Sequence, residues 1–145
     1  VFEVRGKFPL DKYAAILDEL GRRYGNAMLA PERNNHGHAV ILKLKDMGYP
    51  NLYTHTDGKF GWLTSPTTKP IMIVELEEAL RTGELHISSQ ALLSELLAYQ
   101  DLGGGKYGAP SSMNDDCVMA MAIAFQLRRA KRAKAYGPGH RPAGL

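Results

Sequence analysis

Hydrophobic positions recur with two different periods along the chain. A spacing of three and four residues predicts helices over 11–24, 38–47, 71–81, 90–99 and about 114–134. Short apolar runs between turn residues predict strands at 2–8, 26–31, 52–55, 60–64 and 85–87. An apolar strand, a helix and a second strand in succession are typical of a parallel β-α-β unit. The pattern therefore predicts an α/β fold.

Turn residues divide the remaining segments. The polar residues at 56–59 predict a hairpin between the third and fourth strands. The glycine-rich stretch 101–112 predicts a loop or irregular hairpin around Lys106 and Tyr107. The last residues, 135–145, are rich in glycine and proline and predict a flexible tail.

Composition narrows the class of protein. The chain has 145 residues, which is enough for one domain with a core, and 44% of them are hydrophobic. No apolar run reaches the ~20 residues that a bilayer requires, so no membrane partner is expected. Cys117 is the single cysteine, which excludes an internal disulfide and favours a reducing compartment. The chain begins at Val1 and not at methionine, so we expect a piece of a longer protein.

The net charge of +3 conceals an uneven distribution. The segment 128–145 contains six basic residues and no acid, whereas the rest of the chain has 12 basic and 15 acidic residues. A basic end on a mildly acidic body is a candidate nucleic-acid contact. A solvated helix end, where cations suit the helix dipole, explains the same pattern. The basic residues are Arg128, Arg129, Lys131, Arg132, Lys134 and Arg141.

Two adjacent acids, Asp115 and Asp116, begin the last apolar helix. One interpretation is a helix N-terminus, with Asn114 as the N-cap and the acids facing the positive end of the helix dipole. The other is a carboxylate pair that binds a divalent metal. A second acidic element near the pair would decide between them.

Glu32 is the candidate for that second element. It follows a predicted buried strand, so its carboxylate should emerge at the carboxyl edge of the sheet, where α/β proteins form their sites. The helix that begins with Asp115 and Asp116 should pack on the same sheet. Together these acids would offer the hard oxygen ligands that Mg²⁺ or Mn²⁺ prefers. Two such metals ~3.5–4 Å apart can clamp the attacking and leaving oxygens of a phosphodiester, but such sites usually need three or four carboxylates from separate elements.

Other polar residues flank this candidate site. We expect His36 to lie beside it and contact phosphate; a single cysteine argues against a structural zinc site. Lys69 falls in a predicted loop and is either a DNA-phosphate contact or a solvated lysine. Glu95 lies on a leucine-rich helix, and we expect an exposed surface acid there.

Four motifs then occur in a familiar order. They are residues 32–37, residues 48–53, residues 61–64 with 68–70, and residues 114–120. In this order they resemble the C-terminal nuclease domain of phage terminase large subunits, over about residues 1–130. The resemblance implies a ribonuclease H-like mixed sheet flanked by helices, with residues 1–134 as a partial nuclease domain and 135–145 as a tail. It also implies a metal-dependent endonuclease that cuts concatemeric double-stranded DNA by two-metal phosphodiester hydrolysis.

The resemblance also implies residue roles and partners. Glu32 matches one catalytic acid of the family, and Asp115 and Asp116 match a second motif, in which Asn114 replaces a common histidine. Glu32, Asp116 and Asp115 would then bind two Mg²⁺ or Mn²⁺ ions, with Asp116 favoured over Asp115. Arg128, Arg129, Lys131, Lys69 and His36 would contact DNA. The partners would be a terminase ATPase domain and the portal and procapsid, in the cytoplasm of an infected bacterial host.

The beginning of the chain departs from the family. The first catalytic aspartate of the family lies on the first strand of its domain, whereas residues 2–8 resemble the third strand. We therefore expect a domain truncated at its N-terminus, whose site is incomplete in this chain alone. Two other hypotheses stay open. The chain is a catalytically incomplete DNA- or protein-docking module, or it is another ribonuclease H-like nuclease such as a Holliday junction resolvase, whose final helix also begins with acids.

Overall fold

The computed structural model describes residues 3–33, 36–104, 106–111 and 113–136, with side chains in the last helix described as far as Arg128. This part of the chain is mixed α/β, which confirms the predicted fold class at that level. The chain divides into two compact units, Val1–Ser65 and Pro66–Leu145. The helices are α1 (Leu10–Arg23), α2 (Gly37–Asp46), α3 (Thr68–Arg81), α4 (Gln90–Ala98) and α5 (Asp116–Tyr136), and the strands are β1 (Gln100–Asp101) and β2 (Tyr107–Gly108).

The first unit contains a parallel β-α-β connection in a minimal form, around α2. The one predicted around the 11–24 helix is wrong, because the described residues 3–8 form no strand. Leu29 and Leu52, which flank α2 in sequence, form a parallel bridge. The Leu29 amide donates to the Asn51 carbonyl at 3.0 Å, and the Tyr53 amide donates to the Leu29 carbonyl at 2.8 Å. The contact is one bridge long, so the predicted strands exist here as short extended segments.

The predicted hairpin at 52–64 is also present. Thr54 and Phe60 form an antiparallel bridge, and the His55 amide donates to the Lys59 carbonyl at 2.8 Å to close the turn. The strand that leaves the hairpin then pairs in parallel with the first extended segment, through Trp62 and Glu32. Because residues 29–33 pair first with 52–53 and then with 62, neither pairing is long enough to form a regular strand.

The core of the first unit lies between α1 and α2. Leu44 is fully buried there, together with Val40 and Tyr49. The Tyr49 hydroxyl donates to the Ala27 carbonyl, and burial raises the pKa of that tyrosine. This hydroxyl lies 2.1 Å from the point where a Cβ of Gly21 would stand, so α1 needs glycine at that position. Leu17, Leu29 and Leu52 pack around this cluster.

The second unit packs α3 and α4 against α5. The short strands β1 and β2 are antiparallel, with Gln100 opposite Gly108 and Asp101 opposite Tyr107, which confirms the irregular hairpin. No helix in the described ranges is long and apolar enough to cross a membrane. The buried apolar residues of this unit include Met72, Ile73, Leu76, Ala79, Leu92, Val118, Ala122 and Phe125.

Two predicted strands are wrong. Residues 3–8, the described part of the first one, have no regular structure, and Val4 lines an open pocket with Ile16 and Leu20 of α1. A strand needs a hydrogen-bonded neighbour, and these described residues belong to no ladder. Residues 85–87 are irregular because the Leu85 amide instead donates to the Ala79 carbonyl, at 3.0 Å, near the end of α3.

The helix predicted over 71–81 begins three residues earlier. Pro70 lies in its first turn, where a helix needs no amide donor, so the proline is compatible with helix there. Lys69 therefore lies on α3, and its predicted position in a loop is wrong.

Candidate acidic site

The acid pair lies at the start of α5. Asp116 is the first helical residue and is exposed, while Asp115 directly precedes the helix and its side chain is 31% exposed. The amides of Cys117 and Val118 point out of the first turn, where a helix has unpaired donors. Glu95 Oε2 accepts both, at 2.7 Å from the Cys117 nitrogen and 3.2 Å from the Val118 nitrogen.

Glu95 is therefore buried, and the prediction of an exposed surface acid is wrong. It is only 4% exposed, on the same face of α4 as the buried Leu92. Burying an unpaired carboxylate would be costly, but two amide donors and the positive end of the α5 dipole stabilise its charge. Leu92 lies three residues before Glu95, and this helical spacing is the one sequence signal that could have indicated burial.

Asp115 forms an ion pair with Lys69. The Lys69 ammonium donates to Asp115 Oδ2 at 3.1 Å, and the two side chains are 30% and 31% exposed. The same ammonium lies 5.9 Å from the centroid of the Tyr99 ring. Burial alone would lower the pKa of Lys69, but the hydrogen bond to Asp115 and the negative charge around it prevail, so the pKa is raised. Burial raises the pKa of Tyr99, and the nearby Lys69 charge opposes that effect in part.

Glu32 belongs to the first unit and is half-buried. The backbone on both sides of it is fixed by Trp62, whose amide donates to the Pro31 carbonyl at 2.9 Å and whose carbonyl accepts the Arg33 amide at 2.8 Å. Gly37, at the start of α2, approaches the Glu32 carbonyl so closely that an added Cβ would lie 1.6 Å from the oxygen. The position of the Glu32 backbone is thus defined from two directions.

Arg33, next to Glu32, forms an ion pair that the sequence did not reveal. Its guanidinium is 4% exposed and contacts both carboxylate oxygens of Asp57, with Nη1 at 3.0 Å from Oδ1. Asp57 lies in the hairpin turn, and the hydrogen bond from Arg33 lowers the pKa of its carboxyl group to about 2. The pair therefore joins the residue after Glu32 to a turn 24 residues away.

The remaining predicted site residues are distributed as follows. His36 is exposed and directly precedes α2. Arg128 lies on α5 and pairs with Glu84 at 3.2 Å. The side chains of Arg129 and Lys131, and residues 137–145 of the predicted tail, lie outside the described part of the chain. DNA contact by Lys69, His36 and the basic residues of α5 stays a prediction.

The acids offer the ligand type that Mg²⁺ or Mn²⁺ prefers. Within the described ranges, no group of three or more histidine, cysteine or acidic side chains is arranged to hold a metal. At the start of α5, one of the two carboxylates already has an ammonium partner. Asp115 and Asp116 alone supply fewer carboxylates than a two-metal centre uses.

Comparison with protein-family models, with curated proteins and with solved structures found no match for this chain. The resemblance to terminase nuclease domains is therefore carried by the four motifs alone.

Proposed function

We propose that this chain is part of a metal-dependent DNA endonuclease of the phage terminase type, with a ribonuclease H-like fold. Glu32, Asp115 and Asp116 are its proposed metal-ligating acids, and double-stranded DNA is its substrate. The observation that carries this proposal is the arrangement at the start of α5. The Cys117 and Val118 amides are satisfied by Glu95, so the helix does not need the carboxylates of Asp115 and Asp116 for capping. Two carboxylates without that structural duty are suited to binding a cation.

The first unit supports the same proposal. Glu32 follows an extended segment that pairs in parallel with the segment after α2, as expected for the carboxyl edge of a small α/β sheet. Its backbone is fixed by Trp62 and Gly37, which is what a metal-ligating side chain requires of its support. The assignment of Glu32 and the acid pair to one function comes from the order of the motifs in the sequence.

Basic residues of this chain would supply positive charge for a DNA substrate. Metals in such an enzyme would activate water and stabilise the leaving oxygen, and Glu32, Asp115 and Asp116 would hold them. Lys69 places a positive charge beside Asp115, where it can also attract a phosphate oxygen. Arg128 and its basic neighbours on α5 would add contacts that do not depend on DNA sequence.

Affinity cleavage by iron tests the ligand assignment directly. Fe²⁺ bound in place of Mg²⁺ generates hydroxyl radicals with ascorbate and peroxide, and these cut the polypeptide near the metal. We expect cuts near residue 32 that are lost in Glu32→Gln, and cuts near residues 115–116 that are lost in Asp116→Asn, both suppressed by excess Mg²⁺. Glu77→Gln removes an exposed acid on α3 and serves as the matched control, with unchanged cuts. Cuts at only one of the two places, or at neither, would overturn the assignment.

DNA cleavage is tested with the full-length protein that the gene encodes. We expect nicking of supercoiled plasmid in Mn²⁺, lost in Glu32→Gln and in Asp116→Asn and retained in Glu77→Gln. Cleavage that neither substitution affects would contradict the proposed site. Preference for four-way junctions over linear duplex would instead indicate a resolvase.

A second candidate function is a docking module without catalytic activity. The observation that favours it is the ion pair at Asp115, because Lys69 already neutralises one of the few acids available to a metal. Such a module would bind duplex DNA in EDTA as well as in Mn²⁺, and its affinity would fall when Arg128, Arg129 and Lys131 are replaced by alanine. Binding that requires the metal and ignores these substitutions would exclude it.

A further inference from the structure

The N-terminus of α5 is capped by a residue from another helix. The residue just before a helix usually turns its own side chain onto the amides of the second and third helical residues, and aspartate is among the best residues for this. Asp115 has that position in α5, and the amides are those of Cys117 and Val118. Both donate to Glu95 of α4 instead.

Because Glu95 occupies these donors, Asp115 points elsewhere. Its Oδ2 accepts a hydrogen bond from the Lys69 ammonium at 3.1 Å, on a partly exposed region of the unit. The backbone carbonyl of Asp115 still accepts the Met119 amide at 2.9 Å, so the first helical turn is intact without a capping side chain from Asp115. The same two amides are also closed to any bound anion such as a phosphate.

We propose that Glu95 is a positioning residue that takes over the capping of α5 and thereby releases the Asp115 carboxylate to bind cations. In the structure that cation is the Lys69 ammonium. The extension to a divalent metal rests on the proposed function. Glu95 can hold this role because it is more than nine-tenths buried, and because its hydrogen bonds come from the backbone amides of Cys117 and Val118, which any substitution other than proline retains.

The Glu95→Ala substitution should change the partner of Asp115. Once the carboxylate is removed, the nearest capping group is Asp115, which should turn from Lys69 to the amides of Cys117 and Val118. Lys69 then loses its partner and becomes more reactive. The structural role of Glu95 alone would predict fraying of α5 with no change at Lys69.

Three measurements on the full chain test this. Reductive methylation of the Lys69 amine should be several-fold faster in Glu95→Ala, relative to exposed Lys106 in the same molecule. Amide exchange at Cys117 and Val118 should rise on the order of fivefold when Asp115→Ala is added to Glu95→Ala, but not when Asp115→Ala is made alone. Mn²⁺ binding, followed by the electron paramagnetic resonance signal of the free ion, should weaken several-fold in Glu95→Ala.

Failure of metal binding and failure of the Glu95 positioning role give different results in these measurements. If wild-type protein binds no Mn²⁺, the metal function fails, but Lys69 reactivity and amide exchange still show whether Glu95 positions Asp115. Unchanged Lys69 reactivity in Glu95→Ala, or amide exchange that depends on Asp115 alone, would overturn the positioning role. If Glu95→Ala does not fold, Glu95→Gln preserves the shape of the side chain. We expect this variant to show the same changes in all three readouts, but smaller ones. Glu77→Ala is the matched control and should leave all three readouts unchanged.

Discussion

The buried guanidinium of Arg33 contacts both carboxylate oxygens of Asp57 in the hairpin turn. Arg33 directly follows Glu32, so this ion pair fixes the hairpin to the segment that carries the candidate ligand. A two-pronged guanidinium–carboxylate contact is geometrically specific as well as electrostatic. Losing the Asp57 charge would leave a buried arginine without its partner, which is a more severe change than loss of a surface ion pair.

The first unit should therefore lose stability in acid because of Asp57. Its pKa is about 2 in the folded protein and about 3.9 in an unfolded chain. A lowered folded pKa means that the stabilisation is complete above about pH 4 and is lost as the pH falls toward 2. Asp57→Asn should be less stable than wild type at pH 6, and the difference should shrink below pH 4.

Thermal unfolding followed by the fluorescence of Trp62, the single tryptophan, measures this effect. Asp46→Asn removes an exposed acid at the end of α2 and serves as the control. A constant difference in melting temperature between wild type and Asp57→Asn from pH 6 to pH 2 would show that the ion pair does not cause the acid sensitivity.

Gly37→Ala should damage the support of Glu32. The added Cβ would meet the Glu32 carbonyl oxygen at 1.6 Å, so either α2 or the Glu32 backbone must move. We expect a loss of at least about 1–3 kcal/mol in the free energy of unfolding, the usual cost of overpacking. His38→Ala, at the next and exposed position of α2, should change stability by less than about 0.5 kcal/mol. Urea denaturation measures both, and equal stability of the two variants would contradict the close approach.

The sequence predicted regular features better than it predicted the site. Helical periodicity located all five described helices, because apolar residues recur along each of them at three- and four-residue spacing. Both hairpins also followed from apolar runs and turn residues, whereas the parallel β-α-β connection formed around α2 and not around the first helix as predicted. Strand formation at 2–8 and 85–87 could not be judged from those runs, because a strand depends on a partner elsewhere in the chain.

The contacts that shape the site were not predictable for a related reason. Glu95 and Cys117 are 22 residues apart, and Lys69 and Asp115 are 46 apart, so no local pattern joins them. The sequence around Glu95 is typical of an ordinary surface acid. The residue is buried because α5 brings unpaired amides to it. Local propensity likewise predicted a loop at Lys69, because a proline usually marks a helix boundary. Pro70 instead lies in the first turn of α3, which the sequence alone did not indicate.

The second unit should become less stable in alkali through Lys69 and Tyr99. Both pKa values are raised in the folded protein. For Lys69, burial lowers the pKa, but the contact with Asp115 and the surrounding negative charge outweigh it. For Tyr99, burial raises the pKa. A raised folded pKa means that each contribution is complete below the unfolded pKa, about 10 for both groups, and is lost as the pH rises through the folded value. At pH 8, Lys69→Met should therefore reduce stability, by at most about 1 kcal/mol because the pair is partly exposed.

Circular dichroism at 222 nm, recorded during urea unfolding between pH 8 and 11.5, follows this difference. The stability of Lys69→Met should approach that of wild type at the highest pH, and Tyr99→Phe should separate the contribution of the tyrosine. Lys106→Met, on an exposed loop lysine, is the control. A difference between wild type and Lys69→Met that grows with pH would contradict the assigned direction.

Leu44 and Leu42 offer a matched test of the first core. They lie two residues apart on α2, but Leu44 is fully buried against Val40 and Tyr49, whereas Leu42 is 60% exposed. Leu44→Ala removes packed atoms and leaves a cavity, so we expect a loss of about 2–5 kcal/mol in the free energy of unfolding. Leu42→Ala changes an exposed position in a helix and should cost less than about 0.5 kcal/mol. Urea unfolding followed by Trp62 fluorescence compares them in the unit that contains both, and a larger loss in Leu42→Ala would mean that α2 presents its opposite face to the core.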